Sequence, residues 1–171
     1  ADRFETPLGE VTVDTPLLDS IADLPQVQVI DEAHTLEHGI EVLLPFLQHV
    51  LSSFSIAPLL VGTTEPEEVC EVLEAIWGGD ETLIVVSSDL SHYLDYAAAQ
   101  RLDRKTTSAI EALRDGDIRP EQACGHLAIR GLLQSARKRG LQARNLDLRN
   151  SGDTEGPCDR VVGYGAYAFT T

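Results

Sequence analysis

Four consecutive aliphatic residues, Leu83, Ile84, Val85 and Val86, run directly into Ser87, Ser88, Asp89, Ser91 and His92. A short aliphatic run without alternation predicts a buried strand covered on both faces, the hallmark of a layered α/β sheet. In open α/β sheets, ligands gather beyond the carboxyl ends of such strands. The polar loop that carries Asp89 and His92 is therefore the first candidate site.

Strand and helix signals alternate around this run. Thr6-Pro7-Leu8-Gly9 predicts a turn between two short extended pieces, and Asp14 is placed to cap a helix over 15–24. Residues 27–30 read as a short strand. Asp31 can cap a second helix carrying His34, Glu37, His38, Glu41, Val42, Leu44 and Leu47, with a kink or break just before Pro45. Residues 55–61 read as a strand, followed by a helix from Thr64 through Trp77 that Gly78 and Gly79 stop. Downstream, a long helix is expected over 96–113 and an amphipathic one over 127–139, ended by Gly140 in a left-handed conformation. Strands over 143–148 and 161–169 close the chain. The alternation predicts one α/β domain over residues 1–171, layered, with a mostly parallel or mixed central sheet flanked by helices.

Charge narrows the function classes. Against 28 acidic residues there are 13 basic ones, a formal net charge of -15. That balance repels phosphate backbones and anionic lipid, so neither nucleic acid nor membrane is an expected partner. The late cluster Arg130, Arg137, Lys138, Arg139, Arg144 and Arg149 reads as helix-dipole complement and solvated surface. Cys70, Cys124 and Cys158 are odd in number and lack C-x-x-C spacing, which argues against a disulfide framework and fits a reducing cytoplasm. No apolar run is long enough to cross a bilayer, and no signal or transit segment is visible. The chain contains no methionine, which is compatible with trimming or with a piece of a longer protein.

Three constellations could carry chemistry. In Asp89-Leu90-Ser91-His92, a carboxylate three residues before an imidazole can orient the ring and leave its other nitrogen free for a metal or a proton. The bland reading is a capping aspartate beside a surface histidine. In His34-Thr35-Leu36-Glu37-His38, with Glu41 one turn on, a helix would place both imidazoles on one face, and the string matches the H-x-x-E-H pattern of some zinc peptidases. A polar helix face bonding to neighbouring loops explains it equally simply. Cys124-Gly125-His126 joins a soft ligand to a flexible glycine, a pattern suited to metal or redox chemistry. By contrast, Cys70 reads as a buried hydrophobe, Cys158 as a loop thiol and His49 as surface.

Four separated motifs occur in one order. They are the segment Glu37-His38-Gly39-Ile40-Glu41 with Val42-Leu43-Leu44-Pro45-Phe46-Leu47, the run 85–93, Cys124-Gly125, and Asn150-Ser151-Gly152-Asp153 with Val161-Val162-Gly163-Tyr164. Together they resemble the MEMO family, whose bacterial form is the AmmeMemoRadiSam system protein B, over essentially all 171 residues. The resemblance implies a fold similar to the LigB-type class III extradiol dioxygenases, with a metal cleft. The family's metal cluster comprises two histidines from its amino-terminal part, the Asp and His of S-S-D-x-x-H, and the cysteine of the C-G motif. The last three correspond here to Asp89, His92 and Cys124. The chain's first residues resemble the middle of the family domain. The resemblance thus places the amino-terminal strands and the two other histidines outside it, and His34, His38 and His49 do not stand at those positions.

The expected function is a metal-dependent redox or dioxygenase-like one of unassigned substrate. Iron or copper is the expected metal, with Cys124 and His92 as ligands and His92 as catalytic base oriented by Asp89. The metal site is incomplete within these residues: either the rest of it lies on sequence outside them, or they bind a metal weakly or not at all. A thiolate in place of the carboxylate ligand of the ring-cleaving enzymes argues against ring cleavage itself. The alternative is a non-catalytic module binding a small molecule or peptide in a dioxygenase-like cleft, and the third reading is the zinc peptidase through His34, Glu37 and His38. Self-association and, by resemblance, a functional link to a radical SAM protein complete the expectations.

Overall fold

The computed structural model describes residues 2–35, 37–154 and 156–171. The protein is mixed α/β and divides into two compact units, Ala1–Thr63 with Ala75–Ser87, and Thr64–Glu74 with Ser88–Thr171.

The first unit is built on a small sheet. Strand β1 (Arg3–Thr6) pairs antiparallel with β2 (Gly9–Val13), whose other edge takes β3 (Ser55–Ile56) in parallel. The β1–β2 turn needs Gly9, which sits at φ 120, a region L side chains rarely adopt. Asp14 caps α1 (Thr15–Asp19) as expected, accepting the Leu17 N–H at 3.1 Å, and it also accepts the Ser55 hydroxyl at 3.1 Å. Val11, Val13, Ile21 and Leu44 are buried.

Several expected elements of this unit come out shorter, each for a local reason. Helix α1 stops at Asp19 and the chain continues in tighter turns, with Ile21 bonding back to Leu18 and Ala22 to Asp19. Pro25 keeps the residue before it out of helical conformation. Residues 27–30 join no ladder among the described residues. The second helix is replaced by a 3₁₀ turn over Asp31–His34 and a separate helix α2 (Leu44–Val50). The break expected just before Pro45 is present, and Pro45 stands in the first turn of α2, where a proline lacks an N–H that would have no partner anyway. Strand pairing after Ser55 ends at Ile56, and Pro58 offers no ladder donor.

The aliphatic run also departs from expectation. Residues 83–89 join no ladder among the described residues, and Leu83 is 69% and Val85 49% exposed. Composition favours an extended backbone, but covering both faces needs neighbours that composition cannot supply. The boundary between the units falls inside this stretch, after Ser87.

The second unit sets helices α3 (Pro66–Ile76, belonging to it through Glu74), α4 (Tyr96–Glu111) and α5 (His126–Lys138) with an antiparallel sheet in the order β4 (His92–Leu94), β6 (Val161–Thr170), β5 (Gln142–Asn150). The long β5–β6 pairing runs from Gln142 opposite Thr170 to Asn150 opposite Gly163, with a bulge between Asn145 and Asp147. Among the described residues, parallel pairing is thus confined to β2 and β3. Helix α4 buries Ala99, Asp103, Thr106, Thr107 and Ile110, a helical stripe that contains one carboxylate. Leu132, Leu133 and Ala136 of α5 complete a core with Ile118 and Val161. Gly140 ends α5 at φ 67, as its position predicts.

The late basic cluster lies at the surface apart from Arg130, which is half-buried. Arg137 pairs with Asp115, Arg139 with Glu74 and Arg149 with Asp147.

Candidate functional site

Once the extended run ends, pairing begins. Leu90 N–H donates to the Gly163 carbonyl and Gly163 N–H to the Ser91 carbonyl, each at 2.8 Å, so the polar loop is tied to β6 before β4 opens at His92. This anchoring fixes the position of Asp89 and His92 in the second unit. His92 Nε2 lies 3.3 Å from Asp89 Oδ2, leaving the Nδ1 edge of the ring for another partner.

Cys124 approaches the same loop from the turn that precedes α5. Its sulfur accepts the Asp89 N–H at 3.3 Å and lies 3.5 Å from the Ser88 hydroxyl. Ser88 in turn accepts the Gly125 N–H at 2.9 Å and donates to the Asp89 carbonyl at 2.7 Å. The result is a corner in which a thiol, an imidazole and a carboxylate meet around one backbone segment. The thiol is exposed, and the imidazole half-buried. His126 opens α5, and no hydrogen bond joins it to Cys124.

Beside the corner, Tyr93 is 64% exposed and held at φ 61, a left-handed conformation costly for a bulky residue. The Arg160 guanidinium lies over its ring at 4.3 Å, and the His92 ring is 5.7 Å away. Below, the Asn150–Asp153 loop is closed on itself: Asn150 caps the Gly152 N–H, Asp153 accepts the Asn150 N–H, and Tyr96 donates its hydroxyl to Asp153 at 2.5 Å. That hydroxyl holds the Asp153 carboxyl below its ordinary range, and the carboxylate in turn pushes the Tyr96 phenol up.

Sequence reasoning did not single out Asp103. Its carboxylate accepts the Ser91 N–H at 3.0 Å, and burial pushes its titration above the ordinary aspartate range, with bonds from Ser91 and the charge of His92 opposing. A signal was available: an acidic residue in register with Ala99, Thr106 and Ile110 on a helix stripe is a carboxylate facing the core.

The second constellation does not converge. His34 lies at the end of a 3₁₀ turn with its ring edge-on to Phe4 at 6.2 Å, Glu37 accepts the Gly39 N–H at 2.7 Å, and His38 pairs with Glu41 at 2.5 Å on the surface. Without a helix through 31–41 the two imidazoles share no face, so the peptidase reading loses its geometric basis. Leu36, in the middle of that string, lies outside the described residues. Cys70 is buried beside the Ser135 hydroxyl, and Cys158 is exposed in the closing loop.

Among the described residues, no three His, Cys, Asp or Glu side chains are grouped as a metal-ligand set. The corner offers a soft and a borderline donor, Cys124 and His92, but not a complete shell. No helix among the described residues is long and apolar enough to cross a membrane.

Comparison with known proteins adds a family. Residues 1–168 match the model of the Memo-like protein family. A MEMO1 family protein of Archaeoglobus fulgidus is 32% identical over 185 residues, covering 98% of this chain and 68% of the relative. For one from Sulfolobus acidocaldarius the identity is 33%, over 98% of this chain and 63% of the relative, and for one from Thermoplasma acidophilum it is 31%, over 95% and 64%. The chain therefore spans about two thirds of the length of these relatives.

Proposed function

The chain belongs to the Memo-like protein family, and from that premise we propose that the Asp89, His92 and Cys124 corner is one wall of a metal-dependent redox site. The observation that supports this reading is the convergence of Asp89 on both other residues, through its carboxylate to His92 and through its N–H to Cys124, each at 3.3 Å. A thiolate with an imidazole is a donor pair suited to iron or copper. Two such donors are fewer than a metal site needs, so the remaining ligands lie outside this corner, and no reaction step is assigned through the metal. Asp89 orients the His92 ring, Cys124 supplies the exposed sulfur, and Ser88 with Gly125 sets the turn that presents it.

The test is elemental analysis of protein purified without chelator, alongside Cys124→Ser and His92→Ala. Iron or copper in the wild type that falls in both variants supports the reading. A metal-free intact parent protein, or full metal in both variants, rejects it.

One observation favours a second reading, binding of a small molecule or peptide without catalysis. Tyr93 and Arg160 form an exposed aromatic and cationic ledge next to His92, the kind of surface on which a ligand stacks. If the metal analysis is negative, this reading takes precedence.

A further inference from the structure

Asp103 is a carboxylate that the corner does not use directly, yet it is bonded to the corner's backbone. It is 2% exposed on the inward stripe of α4 and accepts the Ser91 N–H at 3.0 Å. Ser91 is fully buried and lies two residues after Asp89 and one before His92. From its other side the same segment is bonded to β6 through Gly163, whose N–H and carbonyl hold Ser91 and Leu90. A Cβ on Gly163 would fall directly on the Asp103 carboxylate, so the absent side chain is the space that the carboxylate occupies. Three separate elements, α4, β6 and the loop, are thereby locked at one point.

Burying a carboxylate to hold a single amide is expensive when an apolar side chain would fill the same volume. What the carboxylate adds is direction. A charge-assisted hydrogen bond fixes the Ser91 peptide, and through it the peptides on either side. We propose that Asp103 is a positioning residue for the Asp89, His92 and Cys124 corner, holding the Ser91 amide so that the Asp89 N–H meets the Cys124 sulfur and its carboxylate meets His92. This rests on the reading of that corner as the site, but it makes a claim that can fail separately.

The test is alkylation of Cys124 by iodoacetamide, followed by peptide mass spectrometry. The sulfur forms a bond to the acetamide carbon and iodide leaves. Cys158, an exposed thiol outside the corner, is the internal reference. Because loss of one hydrogen bond at the sulfur changes its reactivity by about threefold or more, Asp103→Ala should shift the Cys124-to-Cys158 rate ratio by that factor. Gly163→Ala, which keeps the carboxylate but displaces it, should shift the ratio in the same direction. Asp103→Asn retains an acceptor for the Ser91 amide and should stay within about twofold of wild type. A merely structural Asp103 would lower the urea midpoint of its variants and leave the ratio in the folded protein unchanged, and that result overturns the proposal. Where Asp103→Ala does not fold, Asp103→Leu, which fills the volume without an acceptor for the Ser91 amide, decides, and an unchanged ratio in that variant overturns the proposal. A shifted ratio in a protein that holds no metal upholds the positioning role while rejecting the metal reading; an unchanged ratio in a metal-containing protein does the reverse.

Discussion

The Asp89 backbone N–H donates to the Cys124 sulfur across 3.3 Å, joining residues 35 positions apart in the sequence. No side chain on Asp89 is needed for that bond, so the position of the peptide, and whatever holds it, governs the contact. Three features hold it: the Gly163 pairing, the Asp103 carboxylate and the Ser88 hydroxyl.

Ser88 is the easiest of these to remove. Its hydroxyl accepts the Gly125 N–H and donates to the Asp89 carbonyl, so Ser88→Ala leaves both without their partner. The expected cost is about 1 kcal/mol, since the site is only half-buried and water can reach the orphaned groups. Urea denaturation measures it, and an unchanged midpoint would show that the hydroxyl contributes nothing to the turn before α5.

Helices α3 and α5 approach closely at Gly131. A Cβ there would lie 2.5 Å from Val69 Cγ1 and 3.2 Å from the Cys70 nitrogen. Gly131→Ala should therefore destabilise by roughly 1–3 kcal/mol, although alanine is the better helix former. The double variant with Val69→Gly should recover part of the loss, because the two nearest clashes, with Cγ1 at 2.5 Å and Cβ at 2.6 Å, are both with that side chain. Additive losses in the double-variant cycle would sink the packing explanation.

Leu133 is fully buried on α5, in the core of the second unit. Leu133→Ala should cost about 2–5 kcal/mol through lost burial and the cavity it leaves. Thermal unfolding followed by circular dichroism is the check, and a cost well under 1 kcal/mol would mean the site collapses freely.

Acid should weaken the tie between α3 and the end of α5. Arg139 bonds both oxygens of Glu74 at 3.0 Å, and this is the chief reason that the Glu74 carboxyl titrates below its ordinary range; burial opposes the shift, while Ser135, the Arg139 charge and Lys138 add to it. A carboxyl with a depressed folded value stabilises the fold above the unfolded value, about pH 4.3, and that stabilisation is lost as pH falls through the folded value. Both partners are partly exposed, so the contribution is about 0.5–1 kcal/mol. The stability difference between wild type and Glu74→Gln, measured in urea at pH 7 and again near pH 3, should shrink in acid. A difference that persists unchanged would assign the effect to packing instead.

Much of the second unit is legible in the residues themselves. The long helix α4, the amphipathic α5 ended by Gly140, and the closing strands all follow from local periodicity and turn chemistry, and they form within a few residues of expectation. The first unit is less legible. Its short elements are decided at Pro25, Pro45 and Pro58, where a proline either ends a segment or starts one: the break expected before Pro45 is there, but the helix expected ahead of it gives a 3₁₀ turn over Asp31–His34.

The sequence by itself determined the α/β class and the family to which the chain belongs, and it singled out Asp89, His92 and Cys124 as candidates. Local spacing could join Asp89 to His92, three residues apart, because a turn of that length brings the two side chains together. That Cys124 belongs beside them came from the family resemblance and not from spacing, and only the tertiary structure decided that its sulfur takes the Asp89 N–H, that Ser88 and Gly125 close the turn between them, and that Asp103 reaches the loop over Gly163. Those contacts join distant parts of the chain, and contacts between distant parts depend on how helices and strands pack, which no periodicity within a single element encodes.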